Sequence, residues 1–306
     1  MASEEHEVSR KRPQFGSRTV KDEEDIFLHN AWDNVEWNAE RVSEAAAKVL
    51  ENSTPLMSSQ EAEKYEQQSS FYWDEFYRQH RCGFFKDRNW LFTEFPELDC
   101  FINAKTKHSA DPVERKCLLE VGCGIGNAVI PLMQATAGSE LQIYACDFSP
   151  VAVDLLRQNE EFDASRCHAF VWDICDEKTK LPFQENSLDF ASLIFVLSSL
   201  NPVKFDQAVS NVVRYLKPGG MILFRDYGRY DMAQLRFKKG RCISDNFYAR
   251  GDGTRVYFFT PEEVDALFVK CGLRKVSLHV DRRLQVNRIK QLKMYRVWIE
   301  ATYKKA

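Results

Sequence analysis

Hydrophobic and polar positions follow two regimes along the chain, and the change comes near residue 117. After it, short apolar runs alternate with segments of helical period. LLEV (118–121) reads as a buried strand, a glycine turn follows, and 126–137 reads as a helix. LQIYACD (141–147) is the next strand, with a helix over 150–159, and HAFVWDI (168–174) is a third. LDFASLIFVLSS (188–199) is a fourth, so apolar that it must be central. A helix over 202–216 ends at Lys217-Pro218-Gly219-Gly220, and MILFRDY (221–227) is a fifth strand. Thr260-Pro261-Glu262-Glu263 combines a capping box with proline at the first helical position, opening a helix that Gly272 stops. Strands over about 274–281 and 293–303 close the chain. The alternation predicts an α/β domain: a mostly parallel sheet covered on both faces, with the final strand pair as an antiparallel C-terminal edge.

Before residue 117 the pattern is different. Residues 1–57 are polar around a short motif, HNAWDNVEW (29–37), and a helix over 38–51 is broken by Asn52-Ser53-Thr54-Pro55. A second helix, about 58–80, places Trp73 and Tyr77 one turn apart on one face. GFFKDRNWLFTEFPEL (83–98) is dense in aromatic and charged residues, and 99–116 reads as a loop. The chain thus divides into a helical N-terminal extension, 1–108, and an α/β domain, 109–306.

Composition narrows the class. With 306 residues and 44% hydrophobic content the chain can bury a sizeable core. It has no run of eighteen apolar residues, so no membrane span is expected. The opening MASEEHEVSRKRPQFGSR lacks a secretory apolar stretch, and Glu4, Glu5 and Glu7 argue against a transit peptide. Nine irregularly spaced cysteines and six scattered histidines give no disulfide framework and no metal site. A reducing compartment, cytoplasmic or nuclear, is expected, with a mitochondrial destination disfavoured.

Charge is segregated. From Arg214 to Ala306 there are 21 Lys+Arg against 9 Asp+Glu, whereas the remainder carries 21 basic and 36 acidic residues. A basic surface for a polyanion on an acidic body is one reading, and charges spread around a solvated surface is the other.

The strongest chemical signal is LLEVGCGIGNAVIPL (118–132). Gly122, Gly124 and Gly126 follow a buried strand and precede a helix, an arrangement that lets backbone approach a ligand closely. Asp147 ends the second strand, placed to accept two ribose hydroxyls. These features alone suit a dinucleotide or S-adenosylmethionine. Two details favour the latter: Asn127 stands where the dinucleotide fingerprint wants its third glycine, and Glu120 before the loop is matched by Asp173 at the end of strand three, suited to an adenine amine. Ile174 and Ile194 are candidates to sandwich the adenine, with ordinary core packing as the alternative. For Trp73 and Tyr77, a core role is the simpler reading beside a cofactor lid.

The succession of acidic residue, G-x-G-x-G, Asp and Asp resembles the class I methyltransferases, implying their Rossmann-like fold. FGSRTVKDEEDIFLHNAWDNVEW, GFFKDRNWLFTEFPEL, CDFSP, LIFVLSS, LKPGGMILFRDYGRYDMAQLRFKKG and NFYARGDGTRVYFFT are together similar to the eukaryotic tRNA N3-methylcytidine methyltransferases. The likeness runs from about Phe15 to Tyr303 and is nearest the branch acting on threonine and some arginine tRNAs. It implies methyl transfer to N3 of the cytidine at position 32 of the anticodon loop. It places Trp73, Tyr77, Gly122, Gly124, Asp147, Asp173, Ile174 and Ile194 at the cofactor. Asp226, Tyr227, Phe85 and Arg88 fall beside the target base, and 1–108 becomes a tRNA-binding extension and lid. Besides tRNA, it raises a tRNA-specific accessory or synthetase-type protein as a partner.

The residue inventory suits that chemistry. Cytosine N3 has a free lone pair, so no base need remove a proton, and the site must hold a base that becomes cationic. Asp226 is the candidate carboxylate. C5-cytosine chemistry needs a cysteine in Pro-Cys or Thr-Cys, and neither dipeptide occurs. The Pro-Pro-aromatic loop of amino-methylating enzymes is replaced by LSSLNP (197–202). Arg225, Arg229, Arg236, Lys238, Lys239 and Arg241, interleaved with Tyr227, Tyr230 and Phe237, form the expected RNA surface, with Arg250, Arg255, Arg282, Arg283 and Arg288 extending it. The competing expectations are a methyltransferase acting on a protein or small molecule, and a non-catalytic tRNA-binding scaffold.

Overall fold

The computed structural model describes residues 18–20, 22–103 and 115–306. The acidic opening stretch and most of the expected 99–116 loop lie outside the described residues. Elements run β1 (Ala31–Trp32), α1 (Ala39–Asn52), α2 (Ser59–Gln67), α3 (Ser69–His80), α4 (Leu91–Glu94), α5 (Asp99–Asn103), β2 (Lys116–Val121), α6 (Val129–Ala135), β3 (Leu141–Asp147), α7 (Pro150–Arg157), β4 (Cys167–Val171) and β5 (Leu188–Ile194). They continue α8 (Phe205–Tyr215), β6 (Leu216–Tyr227), α9 (Met232–Leu235), β7 (Cys242–Ser244), β8 (Phe247–Ala249), β9 (Arg255–Tyr257), α10 (Pro261–Lys270), β10 (Leu273–Asn287) and β11 (Leu292–Lys305).

Among the described residues, eight strands form one sheet in the order β1-β10-β11-β6-β5-β2-β3-β4. The five from β6 to β4 are mutually parallel, and β11 runs antiparallel to both β6 and β10. Strand order reverses between β2 and β5, so the crevice beyond their carboxyl ends is where such a sheet binds ligands. One face packs Val209, Val212, Leu267 and Phe268 of α8 and α10. The other packs Val129, Leu132, Val153 and Leu156 of α6 and α7, together with Leu91, Phe95, Leu98 and Phe101 from the N-terminal extension. A sheet covered on both faces explains why its strands read as continuous apolar runs.

The extension is built into the domain rather than appended. Ala31 and Trp32 pair with Gln285 and Leu284 at the sheet edge, and Trp32 packs with Ile26, Leu284 and Val286. The single helix expected over 58–80 is two, because its halves rest on different surfaces. α2 buries no residue and is anchored by Glu66, which accepts from Lys204 and Arg255. α3 buries Phe76 and Tyr77 against Ile125 and Ala152.

Three further differences bear on the site. Strand three stops at Val171, so Asp173 lies on an exposed turn beyond it, its Oδ1 accepting the Cys175 N–H at 2.9 Å. Strand four stops at Ile194, and Leu197–Ser199 form a 3-10 turn. Residues 231–259 hold α9 and a three-stranded antiparallel sheet, β7-β8-β9, closed over Cys242, Tyr248, Val256 and Phe258. The Thr260 capping box and the N1 proline of α10 form as expected. Among the described residues no helix is long and apolar enough to cross a membrane.

Candidate active site

A cleft opens at the switch point, lined by Val121 and Gly122 at the end of β2, Asp147 and Phe148 at the end of β3, and Trp172 to Ile174 after β4. Phe195, Val196, Ser199 and Leu200 after β5 line it too, and Trp73 and Tyr77 of α3 close it. Gly122 has φ 61°, and a Cβ there would sit 2.6 Å from Val196 Cγ2. Any larger residue would be strained and would fill the cradle where a ligand approaches the loop.

Asp147 is buried, with Oδ2 accepting the Gly124 N–H and Oδ1 the Ser149 N–H, each at 2.9 Å. Burial lifts its carboxyl to about 6, against the pull of those two donors. Each oxygen keeps acceptor capacity toward the cleft, which suits a pair of vicinal hydroxyls. Glu120 is buried behind the loop: one oxygen accepts from Ser192 Oγ, the other has no hydrogen-bond partner among the described residues, and burial lifts the carboxyl to about 7.

Trp73 and Tyr77 do share a face, with ring centroids 5.7 Å apart. The Tyr77 hydroxyl reaches within 3.0 Å of where a Cβ on Gly124 would stand, and burial and the Asp147 charge push the phenol well up. α3 is fixed over the cleft by Asp74, whose Oδ1 accepts from Ser149 Oγ at 2.5 Å. The helix is therefore both packed and cleft-lining, and the two readings of its aromatic pair are compatible.

Next to the cleft, Phe195 and Tyr227 stand with ring centroids 5.1 Å apart. The Arg88 guanidinium lies 5.5 Å from the Phe195 centroid and donates to Ile194 O at 2.8 Å. Arg250 lies 5.7 Å from the Tyr227 centroid. Burial draws the Arg88 guanidinium down, while Glu120, Tyr77, Tyr227 and Asp226 favour its charged form.

The structure separates other expected site residues. Asp226 is wholly buried: Oδ2 accepts Ser198 N–H at 2.9 Å and Oδ1 accepts Tyr227 N–H at 2.8 Å, so it ties the Leu197–Ser199 turn to β6 instead of lining the cleft. Burial lifts it to about 6. Ile194 points into the core on the α6/α7 face, since strand alternation sends it away from the cleft, and only its carbonyl is used. Phe85 packs against Phe76 and Phe84, with centroids 5.6 and 4.9 Å away, and its carbonyl accepts from Asn127 Nδ2 at 3.3 Å.

Of the basic residues, Arg236, Lys238 and Lys239 are exposed together after α9. Arg229 is paired with Glu263 at 3.1 Å, and Arg241 donates to Tyr65 Oη at 3.3 Å. Arg225, Arg255 and Arg283 are not surface charges at all. Arg225 is buried with Asp281 at 2.5 Å and with Glu300, Arg283 bonds Glu94 at 2.6 Å, and Arg255 pairs with Glu66. Three arginines of the C-terminal excess therefore neutralise interior carboxylates. Sequence reading missed Phe148, Trp172, Phe195, Val196, Ser199 and Leu200 as cleft lining; their only signal was position, directly after apolar strands.

A methyltransferase domain model matches residues 118–220, the stretch from β2 into β6. A tRNA N(3)-cytidine methyltransferase of Danio rerio is 50% identical, spanning 99% of this chain and 92% of its own length. A tRNA(Thr) (cytosine(32)-N(3))-methyltransferase of Saccharomyces cerevisiae is 44% identical over 95% of this chain and 45% of its own length. Among solved structures, the PH0226 protein from Pyrococcus horikoshii OT3 is similar with a TM-score of 0.53 at 18% identity, covering 76% of this chain and 99% of that one. At that identity the likeness speaks to the fold.

Proposed function

The chain belongs to the tRNA N(3)-cytidine methyltransferases, and from that premise we propose that it methylates N3 of the cytidine at position 32 in the anticodon loop of threonine tRNA. The observation that carries the reading is a shared wall. Phe195 lines the Asp147–Gly122 cleft and also touches the Tyr227–Arg88 cluster, so cofactor and base sites adjoin.

The cleft fits S-adenosylmethionine, which when bound supplies a methyl group on an electrophilic sulfonium. Asp147 would hold the ribose hydroxyls, Asp173 the adenine amine, and Gly122 and Gly124 would let the ligand approach backbone. Ile174 lines the adenine end, and Trp73 and Tyr77 cover the cleft and exclude water. Tyr227 and Arg88 lie where a splayed base would enter. Since N3 needs no deprotonation, these groups have only to hold and orient the base, and Asp226 acts as a positioning residue through the Ser198 turn. A loop cytidine is cheaper to expose than a paired one. The exposed Arg236, Lys238 and Lys239 would contact phosphates.

The test is nucleoside mass spectrometry of threonine tRNA incubated with the pure protein and cofactor. N3-methylcytidine at position 32 is expected. Methyl appearing in protein, on another nucleoside, or nowhere would overturn the reading.

A further inference from the structure

The end of β5 carries a feature that methyl-donor binding does not explain. Phe195 has φ 59°, in the left-handed region that bulky side chains avoid. Strand alternation would send its ring after Leu193 into the core over α8 and α10. Instead the backbone turns there, with the Phe195 N–H donating to Arg225 O at 2.7 Å and the next turn anchored on Asp226. The ring consequently swings to the Ile194 side of the sheet. It remains half-buried, faces the cleft, and stands beside Tyr227 with Arg88 over it.

Packing alone does not account for this arrangement. The unfavourable conformation delivers one thing, an aromatic face held at a fixed angle at the mouth of the cleft. Strain of this kind persists where surrounding structure fixes it, and here Arg225 O, Asp226 and Arg88 all do so.

We propose that Phe195 is the surface on which the target cytosine stacks, its left-handed backbone setting the ring angle that aims N3 toward the cofactor end of the cleft. The proposal rests on the tRNA methyltransferase reading and adds a substrate contact to it. An aromatic face accepts any base but suits one that turns cationic on methylation, since the ring face attracts positive charge. Asp226 acquires a reason for its burial: it holds the turn that directly follows Phe195.

The experiment compares Phe195→Leu, Phe195→Gly and Phe195→Tyr in single-turnover methylation of threonine tRNA, with S-adenosylhomocysteine titrated calorimetrically into each. Glycine removes the ring and relieves the backbone, so it reports on stacking even if leucine impairs folding. Leucine and glycine should slow methylation at saturating tRNA by between about 5-fold and 150-fold, the range for losing one base–aromatic stack. Tyrosine should recover most of the rate, and because Phe195 also lines the cofactor cleft, S-adenosylhomocysteine affinity should fall by well under the fall in rate. Leucine and glycine variants as fast as wild type would overturn the proposal. So would a loss of S-adenosylhomocysteine affinity matching the loss of rate, which would make Phe195 a cofactor contact. Wild-type protein that methylates no tRNA would instead defeat the underlying reading, and this proposal with it.

Discussion

Replacing Asp147 by alanine separates cofactor recognition from folding, because the structure gives this carboxylate opposing energies. Its rise from 3.8 to about 6 corresponds to about 3 kcal/mol against the charged form at 1.36 kcal/mol per unit, already net of the Gly124 and Ser149 donors. Removing the carboxylate relieves that net cost but leaves two buried N–H groups without an acceptor, each costing about 1–3 kcal/mol. The terms largely cancel, so unfolding free energy should move by no more than about 1–2 kcal/mol. Binding has no such cancellation. Two charge-assisted bonds to ribose hydroxyls amount to at least about 3 kcal/mol, so affinity for S-adenosylhomocysteine should fall by roughly two orders of magnitude. A pH series sharpens the test. A carboxyl raised by burial contributes stability that is present below about 4 and lost as pH climbs through 6. Wild-type affinity should weaken as pH drops below about 6, whereas the free protein gains stability from this group over the same interval. Calorimetric titration at pH 7.5 and 5.5, beside thermal melts, measures both. An alanine variant binding within about threefold of wild type at pH 7.5 would refute the reasoning.

Alanine at Arg236, Lys238 and Lys239 together should weaken tRNA binding and lower the log–log salt slope by about 0.7–0.9 for each phosphate no longer neutralised, with cofactor affinity unchanged; an unaltered slope in filter binding would show that the three are merely solvated. Asp226→Asn keeps one acceptor but sets an amide donor against Ser198 N–H or Tyr227 N–H, so single-turnover methylation should slow by roughly 10²-fold with cofactor affinity much less affected. A variant of near-normal rate would remove Asp226 from the positioning role. Glu120→Gln should flatten the pH profile of unfolding: the wild-type carboxyl, raised from 4.5 to about 7, contributes stability that is present below 4.5 and lost as pH rises through 7. Relative to wild type, glutamine should be stabilised by up to about 2–3 kcal/mol more at pH 8 than at pH 4.5, and parallel melting curves would contradict this.

Charge was the least legible property of the sequence. The basic C-terminal third allowed a basic surface or a spread of solvated charges, yet Arg225, Arg255 and Arg283 turn inward to Asp281, Glu300, Glu66 and Glu94. Each of those pairings spans at least 56 residues of sequence, so no local pattern announces it. Asp226 was misplaced for a related reason. Its position at the end of an apolar strand marks a site neighbourhood, but the side chain is drawn to the Ser198 N–H of a turn that the apolar run 188–199 had read as strand. The small sheet of β7, β8 and β9 escaped because strands of three residues are too short to show a period.

The sequence by itself determined the alternation of strands and helices after residue 117 and the cofactor loop. These depend on local rules: apolar runs for strands buried on both faces, glycines where the backbone must turn and approach a ligand, a capping box at Thr260, and Asp147 at the end of its strand. Only the tertiary structure decided which residues meet across those elements. Trp73 and Tyr77 reach the cleft because α3 packs on α7, and Phe195 faces it because a left-handed residue overrides strand alternation. The extension joins the domain because Ala31 and Trp32 complete a sheet whose edge lies some 250 residues further along the chain. Such contacts are fixed by packing and by the satisfaction of buried polar groups, which act between distant segments and leave no period in the chain.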